Sequence, residues 1–118
     1  MITTIDVETS YQKTEAGGMD PSPFNPQNIL VSVGVNDEYY FTNHSERVDE
    51  GCYHKIQKIL DETKLLIGHN LKFDLSWLLE SGFKYDGNVY DTMIGEYILN
   101  RGIRKSLTLQ MCCQRRKI

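Results

Sequence analysis

No run of apolar side chains in this sequence approaches the ~20 residues that a bilayer-spanning helix requires. A basic stretch followed by an apolar one, the mark of a secretory leader, is also missing, because a strand-like pattern begins directly after Met1; the expected setting is the cytoplasm. Cysteine is sparse, with Cys52 alone and Cys112 and Cys113 adjacent. An odd number of thiols at those spacings supplies neither a disulfide framework nor a zinc pattern, which leaves reduced side chains. Acidic residues are lacking from one end. All sixteen Asp and Glu fall within residues 1–100, beside seven Lys and Arg, whereas residues 101–118 hold six basic residues and no acid. A segment of that kind can touch phosphates, or Arg115, Arg116 and Lys117 can form an ordinary solvated helix end; both readings stand.

A length of 118 residues, 40% of them hydrophobic and 25% charged, suits one globular domain with a single core. The β-branched segment 1–8 reads as a first strand. Residues 9–28 follow as a long loop in which Gly17-Gly18 and Pro21-Ser22-Pro23-Phe24-Asn25-Pro26 forbid regular structure. Gly17-Gly18 has no following Lys and no strand-to-helix setting, so it is not a phosphate-cradling loop. A loop of that length in a small domain is usually functional or mobile. Strands are expected at 29–35 and 39–42, joined by an Asn36-Asp37 hairpin turn. Beyond them the apolar spacing predicts helices over 49–61, 71–81, 91–99 and 107–114, with short strands at 65–67 and 89–90. The order βββαβαβαα predicts an α/β fold, a mixed sheet with helices packed on its faces.

On a strand, residues two apart share a face, so Asp6 and Glu8 present neighbouring carboxylates about 7 Å apart along the backbone. Two like charges that close repel unless a cation neutralises them, and hard divalent ions such as Mg²⁺ or Mn²⁺ take oxygen ligands. By itself an Asp-x-Glu at a strand end is weak evidence for a metal and reads more simply as a polar terminus facing solvent. Asp74 adds weight because it falls on or beside the stripe of Leu71, Leu75, Leu78 and Leu79. An acid in a first helical turn gains only ~0.3–1 kcal/mol from the helix dipole. That is small against the cost of desolvating a carboxylate without a counter-charge, so a metal or a basic partner is expected. His69 is read as a core or capping residue, and Asp91, directly before a helix, as its cap, a contribution of ~1 kcal/mol.

Three segments together carry a resemblance: Asp6-Val7-Glu8-Thr9, Gly68-His69-Asn70-Leu71-Lys72-Phe73-Asp74, and Val89-Tyr90-Asp91-Thr92-Met93-Ile94-Gly95-Glu96-Tyr97-Ile98-Leu99. In order and spacing they resemble the proofreading 3′→5′ exonuclease domain of family A (polymerase I-like) DNA polymerases, of phage or bacterial style, within the DEDD (DnaQ-like) exonucleases and their ribonuclease H-like fold. The resemblance implies a two-metal-ion phosphodiester hydrolase using Mg²⁺ or Mn²⁺. It makes Asp6 the bridge between two ions, Glu8 a ligand of the ion that activates water, and Asp74 a holder of the second ion, partly through water. Thr9 and Asn70 match positions that help place the terminal nucleotide, and Asp91 is not a ligand in that pattern. The implied partners are a single-stranded DNA 3′ end and a polymerase domain or further C-terminal segment, with no membrane.

The sequence departs from that pattern at its end. The family's third motif, a Tyr followed four residues later by a fourth acid, has no counterpart beyond Leu107, since residues 110–118 contain neither Asp nor Glu. The chain is therefore expected to be the N-terminal portion of such a domain, 1–118, with reduced or absent activity and an uncovered apolar patch. Two rivals share the motifs: an RNA-trimming exonuclease resembling ribonuclease D, and a non-catalytic remnant that binds nucleic acid without cleaving it.

Overall fold

The computed structural model describes residues 1–101, 103 and 105–117. Its centre is a five-stranded sheet. β1 (Ile2–Thr9) pairs antiparallel with β4 (Leu30–Val35), which pairs antiparallel with β5 (Glu38–Phe41). On its other side β1 runs parallel to β6 (Leu65–Gly68), and β6 runs parallel to β7 (Asn88–Asp91), giving the order β5-β4-β1-β6-β7. This is the mixed α/β sheet that the pattern predicts, compatible with a ribonuclease H-like exonuclease fold. Asn36 makes the hairpin turn in the left-handed region, φ 53°, which asparagine tolerates.

Alternation along β1 decides what the sheet presents on each face. Thr3, Ile5 and Val7 are buried, while Thr4, Asp6 and Glu8 between them are exposed. Ile5 and Val7 pair across the ladder with Val35 and Val33, so both strands turn these side chains to the same face. Two helices cover it, α1 (Cys52–Glu62) through Cys52, Ile56 and Leu60, and α2 (Leu71–Glu80) through Leu71, Trp77 and Leu78. The Ser81 N–H donates to the Trp77 carbonyl and the Gly82 N–H to the Leu79 carbonyl where α2 ends, and Gly82 at φ 96° accepts a backbone conformation that a Cβ would strain.

The segment 9–28 corrects one expectation. It is not structureless: β2 (Gln12–Lys13) and β3 (Met19–Asp20) form a small hairpin. Gly17 at φ 84° and the Thr14 hydroxyl, which accepts the Gly18 N–H at 2.9 Å, close its turn. The glycines that argue against a strand are here the residues that allow two strands to meet.

After β7 come α3 (Thr92–Leu99) and α4 (Leu109–Arg116). Glu96 on α3 is buried, and Arg115 and Arg116 of α4 donate to its two oxygens at 2.5 and 3.1 Å. Arg116 and Arg115 together hold the Glu96 carboxyl below its ordinary value. Two of the terminal basic residues are thus engaged in joining helices, while Gly102, Arg104 and Ile118 lie outside the described residues. The three cysteines are free thiols. Val89, Ile94, Ile98 and Leu99 leave an exposed apolar surface on β7 and α3.

Candidate functional site

β1, β6 and β7 run parallel; β6 and β7 end side by side at Gly68 and Asp91, and β1 runs on past them, at the carboxyl end of the sheet where open α/β sheets bind ligands. β6 pairs only with Ile2 to Thr4 of β1. The rest of β1 is therefore without a strand neighbour on that edge, and α2, entering after β6, fills the place. Its Asp74 is only 3% exposed and accepts the Val7 backbone N–H at a long 3.4 Å. Desolvation pushes the Asp74 carboxyl up to about 7, with the Asp6 and Asp91 charges adding to the rise and the Val7 N–H opposing it. No Lys, Arg or His among the described residues forms an ion pair with it.

Asp6 and Glu8 project from the opposite side of β1, facing Gly34 and Ser32 across the ladder. The Ser32 hydroxyl donates to Glu8 at 3.4 Å. Asp6 is exposed as a residue, yet it sits in a shallow hollow with Asn36 and Tyr39. That shelter, and then the Glu8 charge, raise its carboxyl above the ordinary value. Asp6 thus stands between Glu8 and Asp74 electrostatically. The three do not converge on one point: among the described residues no group of three acids, histidines or cysteines is close enough to hold an ion. The reason is geometric, since Asp6 and Glu8 leave one face of the strand while Asp74 arrives at its edge beside the core. Thr9 sits half-buried where the β1–β4 register shifts.

Asn70 opens α2 in the left-handed region, φ 57°, and its side chain makes no capping bond. Asp91 does that work from the end of β7. One of its oxygens accepts the N–H of Asn70 at 3.0 Å and of Met93 at 2.8 Å, and the other accepts the N–H of Leu71 at 2.9 Å. The expected cap of α3 is present, and the same carboxylate also caps α2, which no local pattern signals because the two positions are 20 residues apart. His69 joins the neighbourhood as a bridge: its ring nitrogens face the Thr92 hydroxyl at 2.9 Å and the Leu107 carbonyl at 2.5 Å. Its polar atoms are occupied by structural contacts, as its reading as a core or capping residue requires.

Gly68, at the end of β6, makes room for the buried carboxylate. A Cβ there would lie 2.7 Å from the Leu71 side chain, 3.4 Å from the Ile5 carbonyl and 3.5 Å from an Asp74 oxygen. Leu71 is buried and cannot swing away. Gly68→Ala is expected to destabilise the fold by about 1–3 kcal/mol, a drop of roughly 5–15 °C in Tm. Differential scanning calorimetry showing an unchanged Tm would mean that α2 shifts without cost.

Comparison with known proteins bears on this arrangement. The 3′-5′ exonuclease family of family A DNA polymerases matches residues 11–114, which include Asn70, Asp74 and Asp91 and begin after Asp6 and Glu8. The DNA polymerase I of Aquifex aeolicus (strain VF5) is 34% identical over 70 residues, 59% of this chain and 11% of that polymerase. The chain therefore spans about a tenth of the length of this curated relative. A match running through most of the chain, on a mixed sheet of this topology, identifies it as a member of the 3′-5′ exonuclease family of DNA polymerase I-like enzymes.

Proposed function

We propose that this chain is a 3′→5′ exonuclease module that removes 3′-terminal nucleotides from DNA by two-metal-ion phosphodiester hydrolysis, in the setting of a polymerase. The observation that carries this reading is Asp74, a carboxylate buried near other acids with no cationic partner among the described residues. Isolated buried charge is costly, and a side chain in that position otherwise takes up a proton. The donors of Asp6, Glu8 and Asp74 are all hard oxygens carrying excess negative charge, which fits Mg²⁺ or Mn²⁺. When bound, such ions supply activation of water and stabilisation of the leaving oxygen.

The chain's own residues have separate tasks. Asp6 lies between the other two acids and links them electrostatically. Asp91 holds the first turn of α2, and with it the approach of Asp74 to β1. Asn70, its amide unused in capping, and Thr9 at the β1 bulge contact the terminal nucleotide. Residues 97–118 contain no acid, so that segment supplies no carboxylate ligand. The DNA polymerase relative favours DNA over RNA as substrate.

The test is release of the terminal nucleotide from 3′-labelled single-stranded DNA, with the Asp6→Ala, Glu8→Ala double variant alongside. Release should require Mn²⁺ and fall by about 100-fold or more in the variant. Calorimetric titration with Mn²⁺ reads the same acids without turnover, and its binding heat should be lost. Metal binding that survives in the double variant would remove Asp6 and Glu8 from the site.

A further inference from the structure

Phe24 is 72% exposed on a loop that is otherwise held firmly. Asp20 accepts the Ser22 N–H at 3.0 Å and the Asn25 amide at 3.2 Å. The Asn28 amide donates to the carbonyls of Asp20 and Ser22, at 2.9 and 3.0 Å. From the core, the Trp77 indole N–H donates to the Pro21 carbonyl at 2.9 Å and ties the loop to α2. A floppy loop loses nothing by leaving a phenyl ring in water. An ordered one that holds the ring out presents a fixed apolar face, the preorganisation that makes binding inexpensive in entropy.

The ring borders an open cleft of about 320 Å³ between this loop and the start of α2, lined also by Pro21, Pro23, Asn70, Lys72 and Phe73. Phe73 directly precedes Asp74, and Asn70 opens the same helix, so the cleft and the buried carboxylate share α2. Its chemistry is mixed: flat rings and prolines for an apolar planar group, one ammonium for an anion and one uncommitted amide.

We propose that this cleft is a nucleobase platform, on which a base of the single-stranded substrate stacks against Phe24 while Lys72 meets a neighbouring phosphate. The assignment rests on the exonuclease reading above and adds to it where the strand lies. Aromatic stacking suits an enzyme acting on any sequence, because every base has a π-face. The Asp20 carboxylate in the cleft wall is occupied by the loop's own bonds to Ser22 and Asn25, which mutes its repulsion of phosphate.

Fluorescence anisotropy of the full chain with a 5′-labelled twelve-nucleotide oligo(dT), in Ca²⁺ to prevent hydrolysis, tests it. Phe24→Ala should weaken binding about tenfold, and Phe24→Trp should restore it. An oligonucleotide of equal length and charge with abasic sites should bind the unaltered chain and Phe24→Ala alike. Lys72→Ala should flatten the salt dependence for both oligonucleotides. Equal oligo(dT) affinities for the unaltered chain and Phe24→Ala would overturn the platform and leave the exonuclease reading standing. Failure of the unaltered chain to bind either oligonucleotide would overturn that reading and the platform with it. Sedimentation in which Phe24→Ala alone dissociates a dimer would assign the cleft to a contact between copies instead.

Discussion

In metal-free solution at pH 8, Asp74→Asn is expected to raise the melting temperature by about 5–10 °C, and at pH 4 to leave it nearly unchanged. The folded chain holds the Asp74 proton up to about 7, against the ordinary 3.8 of a free aspartate carboxyl. Between those values the folded state binds a proton that the unfolded state has lost. Stability therefore falls as pH rises through roughly 4 to 7, and above 7 the whole cost of the buried charge is present. Asparagine keeps the shape and never ionises. We place the gain at about 1–2 kcal/mol, well under the full shift, because the neighbouring Asp6 is open to water and solvent screens the site.

Divalent cation should reverse the ranking. At a hundred times its Kd, Mn²⁺ would stabilise the unaltered chain by about 2.7 kcal/mol and Asp74→Asn much less. The measurement is a set of thermal melts over pH 4–8, with and without Mn²⁺. Identical melting temperatures for the two proteins at pH 8 in chelator would mean that burial does not destabilise the Asp74 carboxylate, which would then need no cation.

Asp91→Ala is the substitution with the larger expected effect on the fold. One carboxylate satisfies three backbone N–H groups, two at the start of α2 and one at the start of α3. Loss of a single cap costs about 0.5–2 kcal/mol, and here two are lost together, so we expect about 2–4 kcal/mol and a Tm lower by roughly 10–20 °C. Asp91→Asn retains an acceptor oxygen and should fall between. The change should also loosen residues 70–74, read as faster amide hydrogen exchange at Leu71 than at Ile56 in the core of α1. If exchange quickens only in α3, the contact with α2 carries no energy.

The mixed sheet was legible because its signals are local. Residues 1–8 are rich in β-branched side chains, Asn36-Asp37 sits between two strand-forming runs, and Leu71 to Leu79 repeats with a helical period. Asp6 and Glu8 were legible as neighbours for the same reason, since strand geometry alone places them on one face. The hairpin inside 9–28 was not, because Gly17 and the prolines mark turns whether or not strands flank them.

Residue identity and spacing alone determined the α/β class, the adjacency of Asp6 and Glu8, the amphipathic seat of Asp74 and the capping duty of Asp91 toward α3. Only the tertiary structure decided that Asp74 meets β1 where β6 ends, that Asp91 also holds α2, that Arg115 and Arg116 serve Glu96, and that Phe24 borders a cleft against the start of α2. The physical reason is range. Periodicity reports which side of its own element a residue occupies, whereas a carboxylate's partner 20 or 67 positions away is chosen by how the sheet and helices dock.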